Sequence, residues 1–168
     1  KASQECDKVY VFVLSEESDG FSSHDRIEMV KQGTAHLQNV TVLETGPYLI
    51  SSATFPTYFL KDRDNAENVF CDIDIEIFLK YFVPRFSITR RYVGSEPFSA
   101  LTDRYNEALR SKLTGSGVEF IQIERKKHCD VAISASAVRE HIKNGNSHLI
   151  RDLVPQTTYN YLINNNLI

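Results

Sequence analysis

The sequence predicts an α/β domain in which a parallel sheet is covered by helices on both faces. Four strand-like segments alternate with helix-like segments, and residues 9–14 form a continuous run of valine, tyrosine, phenylalanine and leucine. Such a run is typical of a central strand that is buried on both faces of a parallel sheet. Regular alternation of strands and helices favours parallel pairing, because each helix returns the chain to the end of the sheet at which the previous strand began.

The other three strand candidates are less apolar. Residues 39–44 and 118–124 alternate apolar and polar side chains, and residues 90–94 end at a glycine. Ligands of parallel sheets bind beyond the carboxyl ends of the strands. Polar residues that follow these segments are therefore candidate site residues.

Helices are predicted between the strands and after them, at residues 25–37, 72–83, 100–113, 137–144 and 155–161. The helix at 100–113 places Leu101, Tyr105, Ala108 and Leu109 on one face. Residues 72–83 are ambiguous. Ile73, Ile75 and Ile77 alternate as in a strand, whereas Ile73, Ile77 and Tyr81 fit one face of a helix. The length of this segment and the stop expected at Pro84 favour the helix. Pro155 fits the first position of the last helix.

Length and composition favour a single domain over residues 1–168. A chain of 168 residues with 42% hydrophobic content is long enough for one sizeable core. Its formal net charge of -3 lacks the basic excess of a nucleic-acid-binding protein, so a small molecule or a protein is the expected partner.

The cysteines and apolar runs predict a cytoplasmic protein without a membrane span. Cys6, Cys71 and Cys129 are far apart in sequence and do not form a Cys-x-x-Cys motif. This pattern is typical of proteins in a reducing compartment. The longest apolar runs are far shorter than the roughly 20 residues that cross a bilayer.

The sharpest local motif is residues 133–139, where a short extended piece leads into a helix with Ser136 as the expected N-cap and Gly145 as the expected end. The first-turn amides of that helix, the hydroxyls of Ser134 and Ser136 and the guanidinium of Arg139 would together bind phosphate. We name Ser134, Ser136 and Arg139 the anion cradle. The alternative is a helix cap beside a solvated arginine, and spacing alone favours that alternative.

Two further segments follow predicted strands. In residues 92–98, Gly94 allows a nucleotide to approach the backbone closely, and Glu96 is a candidate ligand for ribose or magnesium. The alternative is an ordinary turn with a solvated glutamate. Ser15 directly follows the strand at residues 9–14 and is a candidate for the same ligand-binding crevice beyond the carboxyl ends of the strands. The five histidines have no metal-ligand spacing, so no protein-bound metal site is predicted.

Four segments together closely resemble the citrate lyase ligase family: residues 50–62 (Ile-Ser-Ser-Ala-Thr-Phe-Pro-Thr-Tyr-Phe-Leu-Lys-Asp), residues 93–98, Tyr105-Asn106 and residues 133–139. The last motif alone is similar to the wider nucleotidyltransferase superfamily. The Thr-Phe-Pro-Thr-Tyr-Phe stretch narrows the resemblance to the ligase.

The resemblance implies a Rossmann-like nucleotidyltransferase fold and an acid-thiol ligase reaction. Acetate and ATP would form an acetyl-adenylate with release of pyrophosphate, and the acetyl group would pass to the prosthetic-group thiol on the acyl-carrier subunit of citrate lyase, leaving AMP. ATP and Mg²⁺ are the implied cofactors. Ser134, Ser136 and Arg139 match the family's phosphate-binding positions, with Arg139 in the catalytic role.

The resemblance also implies roles for the segment at 50–62. Thr54, Thr57 and Tyr58 are expected on the acceptor or substrate side, because this segment is peculiar to the ligase. The alternative is that its aromatic residues pack a satellite cluster under a loop.

One departure from the superfamily pattern is plain. Its His-x-Gly-His motif, which stabilises the transition state, does not occur in this sequence. In the family that motif precedes the helix that residues 1–4 are expected to finish, so we expect the first strand and the histidines upstream of Lys1. That strand would lie between the strands at 9–14 and 90–94. The alternatives to an acetate-activating ligase are an adenylyltransferase that joins AMP to a phosphorylated acceptor and a non-catalytic nucleotide-binding module.

Overall fold

The structure is a computed structural model that describes residues 1–16, 20–56 and 71–168. These residues group into two compact units. The first unit contains the described residues of Lys1–Val13, Glu17–Glu44 and Lys126–Ile168, and the second contains those of Leu14–Glu16 and Thr45–Arg125. Each unit has its own hydrophobic core.

The first unit is built on a parallel pair of strands, β1 (Val9–Val13) and β2 (Val40–Glu44). Helix α1 (Ala2–Glu5) precedes β1, and α2 (Ser23–Thr34) connects the two strands and packs against both of them. The start of α2 is fixed by a reciprocal capping box, in which Ser22 accepts from the Asp25 amide and the Asp25 carboxylate accepts from the Ser22 amide. Two otherwise unpaired donors are satisfied in this way.

The rest of the first unit is the C-terminal part of the chain, from residue 126 onwards. It begins with a two-residue-turn hairpin, in which Cys129 and Asp130 both have positive φ, the geometry that matches the twist of paired strands. The elements in order are β5 (Lys127–His128), β6 (Val131–Ala132), α6 (Ala135–Lys143), a 3₁₀ turn (Ser147–Ile150) and α7 (Gln156–Asn164). Val138, Ile150 and Leu162 form the buried core here. Pro155 is the N-cap of α7, and not its first residue as the sequence predicts.

The second unit contains another parallel pair, β3 (Arg90–Gly94) and β4 (Glu119–Ile123), joined by α5 (Ala100–Leu113). The predicted inward face of α5 is confirmed, since Leu101, Tyr105 and Leu109 are buried. Gly94 lies opposite Ile123, so both strands of this pair end at the same level.

The ambiguous segment is helical, as its length predicted, but its buried face and its end differ from the prediction. Asp74, Ile75 and Phe78 are buried, whereas Ile73 and Tyr81 are about 60% exposed. Helix α3 (Asp72–Ile77) passes through a π-helical turn (Phe78–Phe82) into α4 (Val83–Phe86). Pro84 does not end the helix: it is the second residue of α4, directly after the π turn, and the helix continues to Phe86, after which Ser87 adopts a left-handed conformation.

The parallel pairing of strands is confirmed, but the strands form two separate two-stranded ladders among the described residues. The prediction that residues 9–14 are buried on both faces is wrong: β1 is half-buried apart from Val13, because β2 is its only hydrogen-bonded partner in the described part of the chain. No described ladder joins β1 to β3. The strand expected between them, upstream of Lys1, stays a prediction.

Two properties of the described residues bear on the protein's surroundings. None of their helices has the length and apolar character needed to cross a membrane. Cys6, Cys71 and Cys129, all within the described residues, form no disulfide with one another, and Cys129 is exposed.

Candidate functional site

The anion cradle lies at the start of α6. The Ser134 hydroxyl accepts a hydrogen bond from the Ala137 amide at 3.1 Å, and the Ser134 carbonyl accepts from the Val138 amide at 3.2 Å. Ser134 is therefore the N-cap, and the prediction that Ser136 caps this helix is wrong. The reason is the extended backbone of Ser134 (φ -124°, ψ 146°), which brings the chain into the helix two residues earlier.

Because Ser134 rather than Ser136 is the cap, Ser136 lies in the first turn with its hydroxyl on the helix surface. The first-turn amides of a helix point out of its N-terminus and carry partial positive charge. The Arg139 guanidinium donates to the Ser136 hydroxyl at 3.3 Å. A hydroxyl that accepts this bond still has its own proton to donate. The cradle thus presents amide, hydroxyl and guanidinium donors at one helix end, which suits a phosphate group.

Gly20 contacts the side chain of Arg139 closely. A Cβ atom at Gly20 would lie 2.6 Å from the Arg139 Cδ, and Gly20 has a φ of +112°, a conformation that side chains rarely adopt. No local pattern in the sequence links these two residues. Because Gly20 has no side chain, there is room beside it for the methylene groups of Arg139.

A cavity of about 610 Å³ lies beside Arg139 within the same unit. Phe21 and Leu167 supply apolar wall, and Arg139, Lys143 and Glu140 supply charge. Arg139 lines this cavity and bonds to the cradle serine, so it faces a space large enough for part of a ligand.

Ser15 lies in the second unit, just after β1 in the chain. Its amide donates to the Thr45 hydroxyl at 3.1 Å, and its hydroxyl accepts from the Gly46 amide at 2.8 Å. Next to it, the amide and then the hydroxyl of Ser52 hold the pKa of Glu16 below its usual range, through bonds of 2.8 and 2.9 Å. The predicted site residue Ser15 is therefore part of a bonded polar turn.

Gly94 ends β3, and its carbonyl accepts from the Asn106 side chain at 3.1 Å. A Cβ atom at Gly94 would meet nothing within 4 Å, so open space lies next to this backbone. The role predicted for Gly94, close approach of a nucleotide, needs such space. Asn106 belongs to the Tyr105-Asn106 pair that the sequence singled out, and the structure gives it this supporting contact.

Glu96 is not the solvated glutamate of the alternative interpretation. Its side chain is only 7% exposed and forms an ion pair with Arg125 at 2.5 Å. The same carboxylate accepts from the amides of Phe98 and Ser99 at 3.0 and 3.2 Å, just before α5 begins. Arg125 also donates to the Ser95 carbonyl at 2.7 Å. The pair fixes the turn after β3 to the second residue after β4, and Glu96 therefore organises that turn whatever ligand binds there.

The chain is similar along nearly its whole length to proteins of one family. A sequence model of the citrate lyase ligase C-terminal domain matches residues 1–162. The chain belongs to the citrate lyase ligase C-terminal domain family. Proteins named [citrate [pro-3S]-lyase] ligase from Escherichia coli, Klebsiella pneumoniae and Haemophilus influenzae are 36%, 35% and 35% identical to it, over 98%, 97% and 96% of this chain. The family predicted from the sequence is thereby confirmed.

The chain spans about half the length of these curated relatives: 48%, 49% and 50% of the three proteins. The match includes all the predicted site residues, which fall between positions 15 and 139. Within the chain, the cradle belongs to the first unit, and Ser15, Thr54, Gly94 and Glu96 belong to the second.

Thr54 is buried, at 5% exposure, and its hydroxyl donates to the Asp74 carboxylate at 3.2 Å. The neighbouring Phe55 is buried and stacks on Tyr105 at 5.0 Å between ring centroids, as the packing alternative expects. Thr57 and Tyr58 lie outside the described residues. The acceptor-side role of these three residues stays a prediction.

Sequence reasoning missed Asp74. This carboxylate is fully buried and accepts at 2.6 Å from the hydroxyl of Tyr105. Burial raises the pKa of Tyr105 far above its usual range, so the phenol remains a donor. The available clue was an aspartate between Ile73 and Ile75, but the predicted helical face through Ile73, Ile77 and Tyr81 did not include it.

No group of three or more His, Cys, Asp or Glu side chains that could hold a metal ion occurs among the described residues. The donors of the cradle are amides, hydroxyls and a guanidinium, which suit an oxyanion rather than a cation. Magnesium commonly keeps several waters and binds through substrate phosphates. The described residues therefore do not fit a magnesium site of their own at the cradle.

Proposed function

We propose that this domain binds ATP and catalyses the acetylation of the prosthetic-group thiol of citrate lyase. The observation that carries the proposal is the anion cradle at the N-terminus of α6, within the residues that match the citrate lyase ligase family. The names of the relatives support citrate lyase as the protein substrate, and its acyl-carrier subunit is the partner that bears the thiol. The cysteines, which form no disulfide with one another, are in keeping with the proposal of a cytoplasmic enzyme.

The first chemical step would join acetate to the nucleotide. An acetate oxygen attacks the α-phosphorus of ATP, the bond from that phosphorus to the bridging oxygen breaks, and pyrophosphate leaves. Negative charge develops on the departing pyrophosphate, and donors already in place stabilise it without reorganising. Arg139, Ser134, Ser136 and the first-turn amides are the groups of this chain that would do so.

The second step would pass the acetyl group on. The thiol sulfur attacks the carbonyl carbon of acetyl-adenylate, the bond from that carbon to the phosphate oxygen breaks, AMP leaves and the thiol proton passes to solvent. Thr54, Thr57 and Tyr58 are proposed on this acceptor or substrate side. Their segment carries neutral hydroxyls and aromatic rings, which suit a thiol-bearing arm better than a polyphosphate.

Ser15, Gly94 and Glu96, all in the second unit, are proposed as nucleotide-binding residues. Gly94 borders open space at a strand end, and Glu96 is held in a fixed turn by Arg125. The Rossmann-like nucleotidyltransferase fold belongs to the same proposal, supported by two parallel strand pairs and by a phosphate-type helix N-terminus. Magnesium is proposed to arrive with the ATP phosphates.

The decisive experiment measures acetate-dependent exchange of labelled pyrophosphate into ATP by the full-length gene product and by its Arg139→Ala variant. We expect at least a tenfold loss, equivalent to about 1.4 kcal/mol. The matched control is Arg151→Ala, which removes an exposed arginine of the same unit outside the cradle and should exchange at the wild-type rate. Wild-type exchange by the folded Arg139 variant would contradict the role of the cradle.

Mass detection of the intermediate separates the competing functions. Detection of acetyl-AMP supports the ligase, and detection of a dinucleotide product supports an adenylyltransferase. If ATP binds but neither product forms, the result supports a nucleotide-binding module.

A further inference from the structure

Asp74 is a fully buried carboxylate whose partners are three neutral donors. One oxygen accepts from the Ile50 amide and, at 3.2 Å, from the Thr54 hydroxyl. The other accepts from the Tyr105 hydroxyl at 2.6 Å. No ion pair of the described residues includes Asp74. Burying a carboxylate is unfavourable unless hydrogen bonds compensate it, so these donors are needed for the group to be there at all.

Two of the three donors come from one short segment, residues 50–55. Its first residue, Ile50, has a φ of 48°, and a β-branched residue in this left-handed region is a genuine outlier. Such a conformation persists only where the surrounding structure over-determines it. The bond from the Ile50 amide to Asp74 holds one end of the segment, and the bond from Thr54 holds the other.

The same segment is held on its remaining sides. Phe55 stacks on Tyr105, and Ser51 bonds to Thr54 and to the Pro47 carbonyl. Ser52 bonds to the half-buried Glu16. A buried apolar residue at position 74 would pack without the desolvation cost of a charge, but it would hold neither end of the segment. What the carboxylate adds is therefore a single conformation for residues 50–55.

From these contacts we propose that Asp74 is a positioning residue for the acceptor thiol, acting through residues 50–55. This inference rests on the proposed function, in which the segment faces the acceptor while the cradle binds ATP. Its consequence is a selective one. Loss of the carboxylate raises the KM for the thiol-bearing subunit and leaves activation of acetate by ATP almost unchanged.

The experiment compares two reactions of the full-length gene product: acetate-dependent exchange of pyrophosphate into ATP, and acetyl transfer to the thiol form of the acyl-carrier subunit. For Asp74→Leu, which has a similar size but can accept neither bond from the segment, we expect exchange within about twofold of wild type and at least a fivefold rise in the acceptor KM. The matched control is Tyr105→Phe. It removes the third donor but leaves both bonds to the segment, so it should lower the melting temperature without raising the acceptor KM.

A rescue variant separates positioning from stability. Ile50→Gly relieves the backbone strain, so Asp74→Leu/Ile50→Gly should regain thermal stability. A purely structural role predicts that the acceptor KM returns with it, whereas positioning predicts that KM stays high. If Asp74→Leu does not fold, Asp74→Ser, whose shorter side chain loses the carboxylate, must raise the acceptor KM in the same selective way. Equal loss of both reactions, or an unchanged acceptor KM, overturns the inference. A wild-type protein that lacks both reactions instead refutes the proposed function.

Discussion

Ser134 caps α6 and is proposed to bind phosphate, and substitutions at this one position can separate the cap from the proposed role. As N-cap it accepts the Ala137 amide at 3.1 Å. As part of the anion cradle it is proposed to bind phosphate. Alanine removes both roles, asparagine keeps a neutral cap, and aspartate keeps the cap but places a negative charge where the phosphate is expected.

The size of each effect follows from the contacts. Replacing a serine cap with alanine costs about 1 kcal/mol, which for a chain of this length lowers the melting temperature by roughly 3 °C. Aspartate and asparagine cap as well as serine does, and aspartate gains about 0.3–1 kcal/mol from the helix dipole. Two like charges about 4 Å apart repel by up to about 4 kcal/mol at an effective dielectric constant of 20, and solvent screening reduces this. We therefore expect ATP affinity to fall at least tenfold, about 1.4 kcal/mol, for the aspartate variant.

The assay combines thermal unfolding by circular dichroism with ATP titration by calorimetry on the full-length gene product. Ser134→Ala should melt earlier. Ser134→Asn should match wild type in melting and bind ATP within a few-fold of it. Ser134→Asp should melt at or above the wild-type temperature and bind ATP at least tenfold more weakly. If Ser134→Asp binds ATP as tightly as wild type, the cradle does not bind phosphate and Ser134 is a helix cap alone.

Two further predictions concern contacts between distant parts of the sequence. Gly20→Ala places a Cβ atom 2.6 Å from the Arg139 Cδ, so we expect the guanidinium to be displaced and pyrophosphate exchange to fall about as far as in Arg139→Ala; unchanged exchange would show that the guanidinium does not depend on this close approach. Arg125→Met leaves the Glu96 carboxylate buried without its partner, and we expect a loss of about 2–3 kcal/mol in the free energy of urea unfolding, less than for a fully buried pair because Arg125 is 29% exposed. Adding Glu96→Gln should recover part of that loss, and no recovery would mean that Arg125 stabilises mainly by packing.

Much of the local structure could be predicted because it depends on near neighbours. The face of α5 follows from residues three and four apart, and the parallel pairing of β1 with β2 follows from the helix between them. In segments whose apolar residues fit both a strand and a helix period, the local pattern does not decide which residues are buried. In α3 the isoleucines at 73 and 77 suggested the buried face, yet Asp74, Ile75 and Phe78 are buried, because the carboxylate finds three hydrogen-bond donors in the interior.

By itself the sequence determined the α/β class, the position of most elements, the helix N-terminus suited to phosphate and the citrate lyase ligase family. Those properties lie in periodicity and contiguous motifs, which are local. Only the tertiary structure decided that Ser134 rather than Ser136 caps α6, that Glu96 pairs with Arg125, and that Asp74 holds residues 50–55. The cap depends on the exact entry angle of the backbone. The other two contacts join residues about 20 to 30 positions apart, and whether they form depends on which side chains packing excludes from water.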